Sequence, residues 1–150
     1  MNTPMTRRHR LLRLPLAFCL MCAAACAATT APSAAALHGD WVLLTVDGTP
    51  ADTAHARLSF DDQAHFTATA GCNRIFGSYR TGNGRLTLPP AASTLRACDE
   101  ALMAAENRLH RVLANLNNAP FTITQNRLTV RNRQGRTVLE ARRLQAGETP

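Results

Sequence analysis

One run of apolar residues spaced at three- and four-residue steps, Leu102, Met103, Leu109, Val112, Leu113 and Leu116, is flanked on both sides by segments whose apolar residues alternate. Period 3.6 marks an amphipathic helix and period 2 marks half-buried strands. Strands, one helix and strands again cannot make a doubly wound parallel sheet, which needs strand and helix to alternate. The expected class is therefore α+β: an antiparallel sheet of about seven to eight strands, partly barrel-like, packed on one main amphipathic helix.

Turn residues delimit the strands. Trp41, Val42, Leu43, Leu44 and Val46 lie in a run from Gly39 to Val46 that stops at Asp47-Gly48-Thr49-Pro50. Ala56 to Phe60 and Ala64 to Thr69 flank Asp61, Asp62 and Gln63 at hairpin spacing, and Tyr79 to Leu88 contains a turn at Gly82-Asn83-Gly84 before Pro89 and Pro90. Asp99 and Glu100 suit the positive end of the helix dipole, and Asn117, Asn118 and Pro120 close the helix. Phe121 to Thr124, Arg127 to Arg131 and Thr137 to Arg142 read as a closing meander. Arg127, Arg131, Arg133, Arg136, Arg142 and Arg143 cluster there and are expected on its solvated face.

The N-terminus has a different character. Arg7, Arg8, Arg10 and Arg13 precede an apolar, alanine-rich stretch from Leu14 to Ala28. A span needs roughly 20 apolar residues, whereas a basic start followed by a shorter apolar run describes an export signal. Ala23-Ala24-Ala25-Cys26 resembles a bacterial lipobox, with Ala23 where Leu is usual. It implies a signal peptide over residues 1–25 and lipidation of Cys26. Free secretion after cleavage behind Ala34-Ala35-Ala36 is the alternative. Residues 26–36 read as a flexible tether, 37–144 as the folded domain and 145–150 as a disordered tail. Ala27 following Cys26 resembles cargo for the outer membrane, so the expected location is its periplasmic face, or the periplasm if the chain is not lipidated.

The formal charge of +7 suggests a nucleic-acid partner until it is divided along the chain. From residue 26 onward 13 Arg stand against 10 Asp and Glu, a net +3. No nucleic-acid partner is expected from so weak a field.

With Cys19 and Cys22 in the signal and Cys26 in the lipobox, Cys72 and Cys98 remain. Two cysteines in an exported domain point first to a disulfide pinning the start of the helix to the sheet. A zinc site and a reactive thiol are the competing readings. His38, His55, His65 and His110 show no metal-ligand spacing, and a nucleophilic cysteine needs a poised base. No nucleophile elbow, P-loop or dinucleotide fingerprint is present, and Gly82 and Gly84 lie in a turn between strands. Neither metal nor cofactor is expected.

Gly71-Cys72-Asn73-Arg74-Ile75-Phe76-Gly77-Ser78-Tyr79, followed by Thr94, Cys98 and then Glu106 in the helix, resembles the META domain, the family of the bacterial heat shock protein HslJ. Trp41-Val42-Leu43 and the Asp47-Gly48-Thr49-Pro50 turn are similar to that family's opening strand and turn. In the motif, Gly71 suits a positive φ or a bulge, Asn73 tolerates left-handed backbone, and Gly77 allows a second tight bend. The resemblance implies a small, non-catalytic, commonly lipidated envelope component associated with heat or antibiotic stress. It is expected as a monomer attached to the membrane through Cys26, its envelope protein partner, if any, not identified by the resemblance.

Overall fold

A computed structural model describes residues 31–148. The expected signal peptide over 1–25, the lipidation site Cys26, the start of the tether and residues 149 and 150 lie outside the described residues.

The described residues form one curled antiparallel sheet with a single long helix against its core. In order come α1 (Ala34–Leu37), β1 (Gly39–Val46), β2 (Thr49–Pro50), β3 (Arg57–Phe60), β4 (His65–Thr69), β5 (Arg74–Ser78), β6 (Arg80–Gly82), β7 (Arg85–Thr87), β8 (Ala92–Ser93), α2 (Glu100–Ala114), β9 (Ala119–Thr124), β10 (Arg127–Arg131) and β11 (Thr137–Arg143). Strand order across the sheet is β6-β7-β9-β10-β11-β1-β3-β4-β5-β8, with β2 paired to β1. The last strand therefore lies beside the first, Leu43 opposite Ala141 and Trp41 opposite Arg143. This joins the two halves of the chain on either side of α2.

The class is as expected, but the described residues form 11 strands rather than seven or eight. The additions are β2, β5 and β8. The first and last are two-residue pairings with no periodic signal to read, while β5 lies inside the motif and was expected to bend at Gly77. Gly77 is instead mid-strand, opposite Phe66. A Cβ there would stand 3.2 Å from the Phe66 ring and 3.3 Å from Ala91 Cβ, so close packing, not a turn, requires the glycine.

Three two-residue turns place both central residues at positive φ: Asp47-Gly48, Asn83-Gly84 and Gln125-Asn126. Mirror-image turns of this kind match the right-handed twist of antiparallel strands. Ala64 is also at positive φ, in a turn that Asp61 holds by accepting from the amides of Gln63 and His65. The core gathers Trp41, Leu43, Leu58, Phe60, Phe66, Ile75, Leu128 and Leu139 from the sheet with Leu109, Val112 and Leu113 from α2. Asp99 caps the helix by accepting from the Leu102 amide at 3.0 Å.

Three expectations about the ends are corrected. Residues 34–36, expected in a flexible tether, form α1 together with Leu37. Arg143, expected on a solvated face, holds that turn: its guanidinium lies 4.3 Å from the centre of the Trp41 ring and donates to the carbonyls of His38 and Ala36 at 2.6 and 2.7 Å. Trp41 Nε1 adds a bond to the Leu37 carbonyl at 2.8 Å. Residues 145–148, expected in a disordered tail, form a turn in which Glu148 takes both forks of Arg142 and the Gln145 amide. The turn is thereby tied to Arg142, a register partner, with Arg57, of Val42, which is fully buried although it lies outside the main core cluster. Long arginine stems can cover such a residue while their heads remain wet.

Candidate functional site

The motif residues fall into two places. Most meet where β4 leaves the sheet and the segment after β8 enters α2. Gly71 has φ +113°, and a Cβ there would lie 3.2 Å from both His55 Cβ and Leu102 Cδ2. Conformation and space thus both require glycine. Cys72 and Cys98 are disulfide-bonded with their Cα atoms 6.3 Å apart, tying that bend to the residue before the helix cap.

Asn73 does not take the left-handed backbone expected of it. It is 2% exposed and acts through its side chain. Oδ1 accepts from Thr94 Oγ1 at 2.8 Å and from the Arg96 amide at 2.7 Å, while Nδ2 donates to the Arg96 carbonyl at 3.1 Å. Its backbone amide donates to Glu106 Oε2 at 2.9 Å. Glu106, the motif residue in the helix, is therefore turned inward and buried. Thr94 completes the arrangement: its hydroxyl accepts from the Arg74 amide and its own amide donates to the Arg74 carbonyl, both at 3.1 Å. Both sulfurs are in the bond, leaving no thiol here, and the buried polar groups satisfy one another as burial requires. Arg74, Leu95 and Arg96 point outward.

Gly77 and Tyr79 belong elsewhere. The Tyr79 hydroxyl donates to the Asp61 carbonyl at 2.8 Å and its ring packs edge-on to Phe60, with centroids 4.9 Å apart. Burial first, then the nearby Asp61 and Asp62 charges, push its phenol above the ordinary range. Among the described residues, no three His, Cys, Asp or Glu side chains converge as a metal site would need.

A second feature was not signalled by any motif. An open cleft of about 630 Å3 lies between the last turn of α2 and the turn joining β10 to β11. Val112, Leu116, Ala119 and Val138 contribute its apolar side, and Arg111, Arg133 and Arg136 its charge. Arg136 pairs with Asp47 at 2.9 Å. The sequence pattern places Arg133 and Arg136 with the other late arginines on a solvated face. Arg111 was missed because a single basic residue in the last turn of a helix reads as an ordinary dipole partner.

Both features belong to an antiparallel α+β half-barrel with one principal helix. The family model of the META domain matches residues 34–145, and the chain belongs to that family. The match begins at α1, three residues ahead of the expected start at Leu37. The chain is similar to a protein of NMR-determined structure at 28% identity, covering 71% of this chain and 89% of that one with a TM-score of 0.54. It is also similar in fold to a Burkholderia xenovorans protein solved by NMR, at 20% identity over 95% of this chain and 99% of that one, TM-score 0.57. A third likeness in fold is to a DUF4847-family protein from Bacteroides vulgatus, at 12% identity over 76% and 96%, TM-score 0.52. No curated protein matches.

Proposed function

We propose that this META domain is a non-catalytic envelope component, exported and lipid-anchored at Cys26 on the periplasmic face of the outer membrane, that supports envelope integrity under heat or antibiotic stress. One observation carries the non-catalytic reading: Cys72, Asn73, Thr94, Cys98 and Glu106, the residue types that could do chemistry, are engaged with one another in fastening β5 to α2. The anchor rests on the sequence preceding the domain. A single acyl chain binds membranes only marginally and two hold stably, so a diacylated Cys26 would fix the domain to the bilayer.

The test is in two parts. Intact-mass analysis of the chain purified from membranes should show a lipidated N-terminus at Cys26; an unmodified N-terminus at Leu37 would remove the anchor. A deletion strain should become sensitive to heat and to large hydrophobic antibiotics, with full complementation by a Cys72→Ala/Cys98→Ala variant at permissive temperature. Loss of function on removing the cysteines from a still-folded protein would overturn the non-catalytic reading.

The cleft favours a second reading, a secreted periplasmic binding module for an anionic envelope component. Capture from envelope extracts by the chain but not by an Arg131→Gln/Arg133→Gln/Arg136→Gln variant is its expected result. Capture that ignores the arginines counts against it.

A further inference from the structure

We propose that the cleft between the last turn of α2 and the β10–β11 turn binds an amphiphilic phosphomonoester, its phosphate held by Arg111 and Arg133 and its apolar body lying on Val112, Leu116 and Val138. This deepens the binding-module reading and rests on it.

The size is suitable. At about 630 Å3 the cleft falls within the range of sites that hold small organic molecules, which join an apolar surface to a few placed polar groups. The charge is unbalanced: three guanidiniums line the cleft against one carboxylate, Asp47, which Arg136 already engages. Among the described residues neither Arg111 nor Arg133 enters a salt bridge. Arg111 comes from α2 and Arg133 from the β10–β11 turn, both line the cleft, and a guanidinium fork pairs with phosphate oxygens through charge-assisted hydrogen bonds.

The frame is set before any ligand arrives. Asn132 Oδ1 accepts from the amides of Gln134 and Arg136 at 3.0 and 2.9 Å, the Asn132 amide donates to the Arg136 carbonyl at 2.9 Å, and the Gly135 amide donates back to the Asn132 carbonyl at 3.0 Å. Arg133 is therefore carried by a braced turn. The C-terminal end of a helix repels anions, but its partial charge is roughly half an elementary unit. Here the carbonyls of Arg111, Val112 and Leu113 also accept from Asn115 Nδ2, the Asn115 amide and the Leu116 amide. The full positive charge of Arg111 outweighs what is left.

The probe is octyl phosphate, a monomer at the concentrations used, titrated into the purified chain by calorimetry. Saturable 1:1 binding is expected. Inorganic phosphate, the head alone, and octyl glucoside, the tail without charge, should each bind at least about tenfold more weakly. Arg111→Gln/Arg133→Gln should weaken octyl phosphate binding by tenfold or more while the urea midpoint stays in place. Vesicles of phosphatidylcholine with phosphatidic acid separate the sources: competition with octyl phosphate assigns the site to lipid headgroups, and its absence alongside octyl phosphate binding assigns it to soluble phosphoesters. No saturable octyl phosphate binding, or equal binding by the double variant or by octyl glucoside, overturns the proposal. Arginine-dependent capture from extracts together with failure of octyl phosphate would overturn the ligand and leave the binding-module reading standing.

Discussion

Two polar regions of this small domain differ in how their valences are spent. Around Asn73, which is buried, polar atoms meet Arg96, Thr94 and Glu106 within hydrogen-bond distance, the Glu106 contact buried and the others partly so. In the cleft, Arg111 and Arg133 face solvent with no acid beside them. A buried polar network is costly when half satisfied and so contributes to holding one fold, while exposed unpaired charge contributes little to folding and stays available to a ligand. The recognisable motif is therefore engaged in holding the fold, and the unpaired charge lies where no motif is.

The most forceful way to break that division is to dismantle the first region. Cys72→Ala/Cys98→Ala removes a crosslink between residues 26 apart and should lower the unfolding free energy by roughly 3 to 3.5 kcal/mol in the chain-entropy account. Asn73→Ala strands the Arg96 amide and carbonyl and should cost about 3 kcal/mol. Because both act on one segment, the triple variant should fall short of their sum. Urea unfolding measures all three. A loss under about 1 kcal/mol for Asn73→Ala would mean the segment from Thr94 to Cys98 is not held as described.

Glu106 separates charge from shape within the same region. Glu106→Ala leaves the Asn73 amide buried without an acceptor and should cost about 2 kcal/mol, whereas Glu106→Gln keeps an oxygen in place and should cost less than about 1 kcal/mol. Equal losses for the two would show that the negative charge, not the acceptor, is required.

Arg143 is intermediate, an arginine used structurally. Arg143→Lys keeps the charge but cannot reproduce two donations and stacking on an indole. It should cost about 1 kcal/mol, speed amide exchange at Leu37 and His38, and shift the emission of Trp41, the chain's single tryptophan. Unchanged emission would show that the guanidinium is not seated on that ring. By contrast Arg111→Gln/Arg133→Gln should change stability by no more than about 0.5 kcal/mol. A larger loss would place those side chains among the structural ones and erase the distinction.

How far the sequence exposes these roles depends on whether the signal is periodic. The α2 stripe at Leu109, Val112 and Leu113 is periodic, as is the alternation of Leu58 and Phe60, and the core there is as the pattern implies. The Gly71 bend was readable because few residues accept φ +113°. Asn73 misled because asparagine is common both at left-handed turns and in buried networks, and only tertiary context distinguishes them. The motif names Glu106 but not its role: its partner is a backbone amide 33 residues away in sequence, and no helical period encodes that. Arg143 and the cleft depend on β11 returning beside β1, a pairing set by topology.

The smallest expected effect concerns the C-terminal turn, whose arginine combines the two behaviours: Arg142 is exposed enough to be wet yet paired. Donation from Arg142 and then from the Gln145 amide holds the Glu148 carboxyl down from 4.5 to about 2. A group more acidic in the folded turn stabilises it fully above its ordinary range, and that contribution is lost as pH falls through the lowered value. The turn should therefore stay docked at pH 4.5 and release only near pH 2. Global acid unfolding is a poor readout, because Asp52 and Asp61 are also held below the ordinary carboxyl range, chiefly by hydrogen bonds from His55 and from the His65 amide. The Gln145 amide shift is specific, since that proton points at Glu148 Oε2 at 2.7 Å. It should titrate with a midpoint near 2 and lose the step in Glu148→Gln. A midpoint near 4.5 would mean that the carboxylate is free of Arg142 and the Gln145 amide, and that the turn is not docked as described.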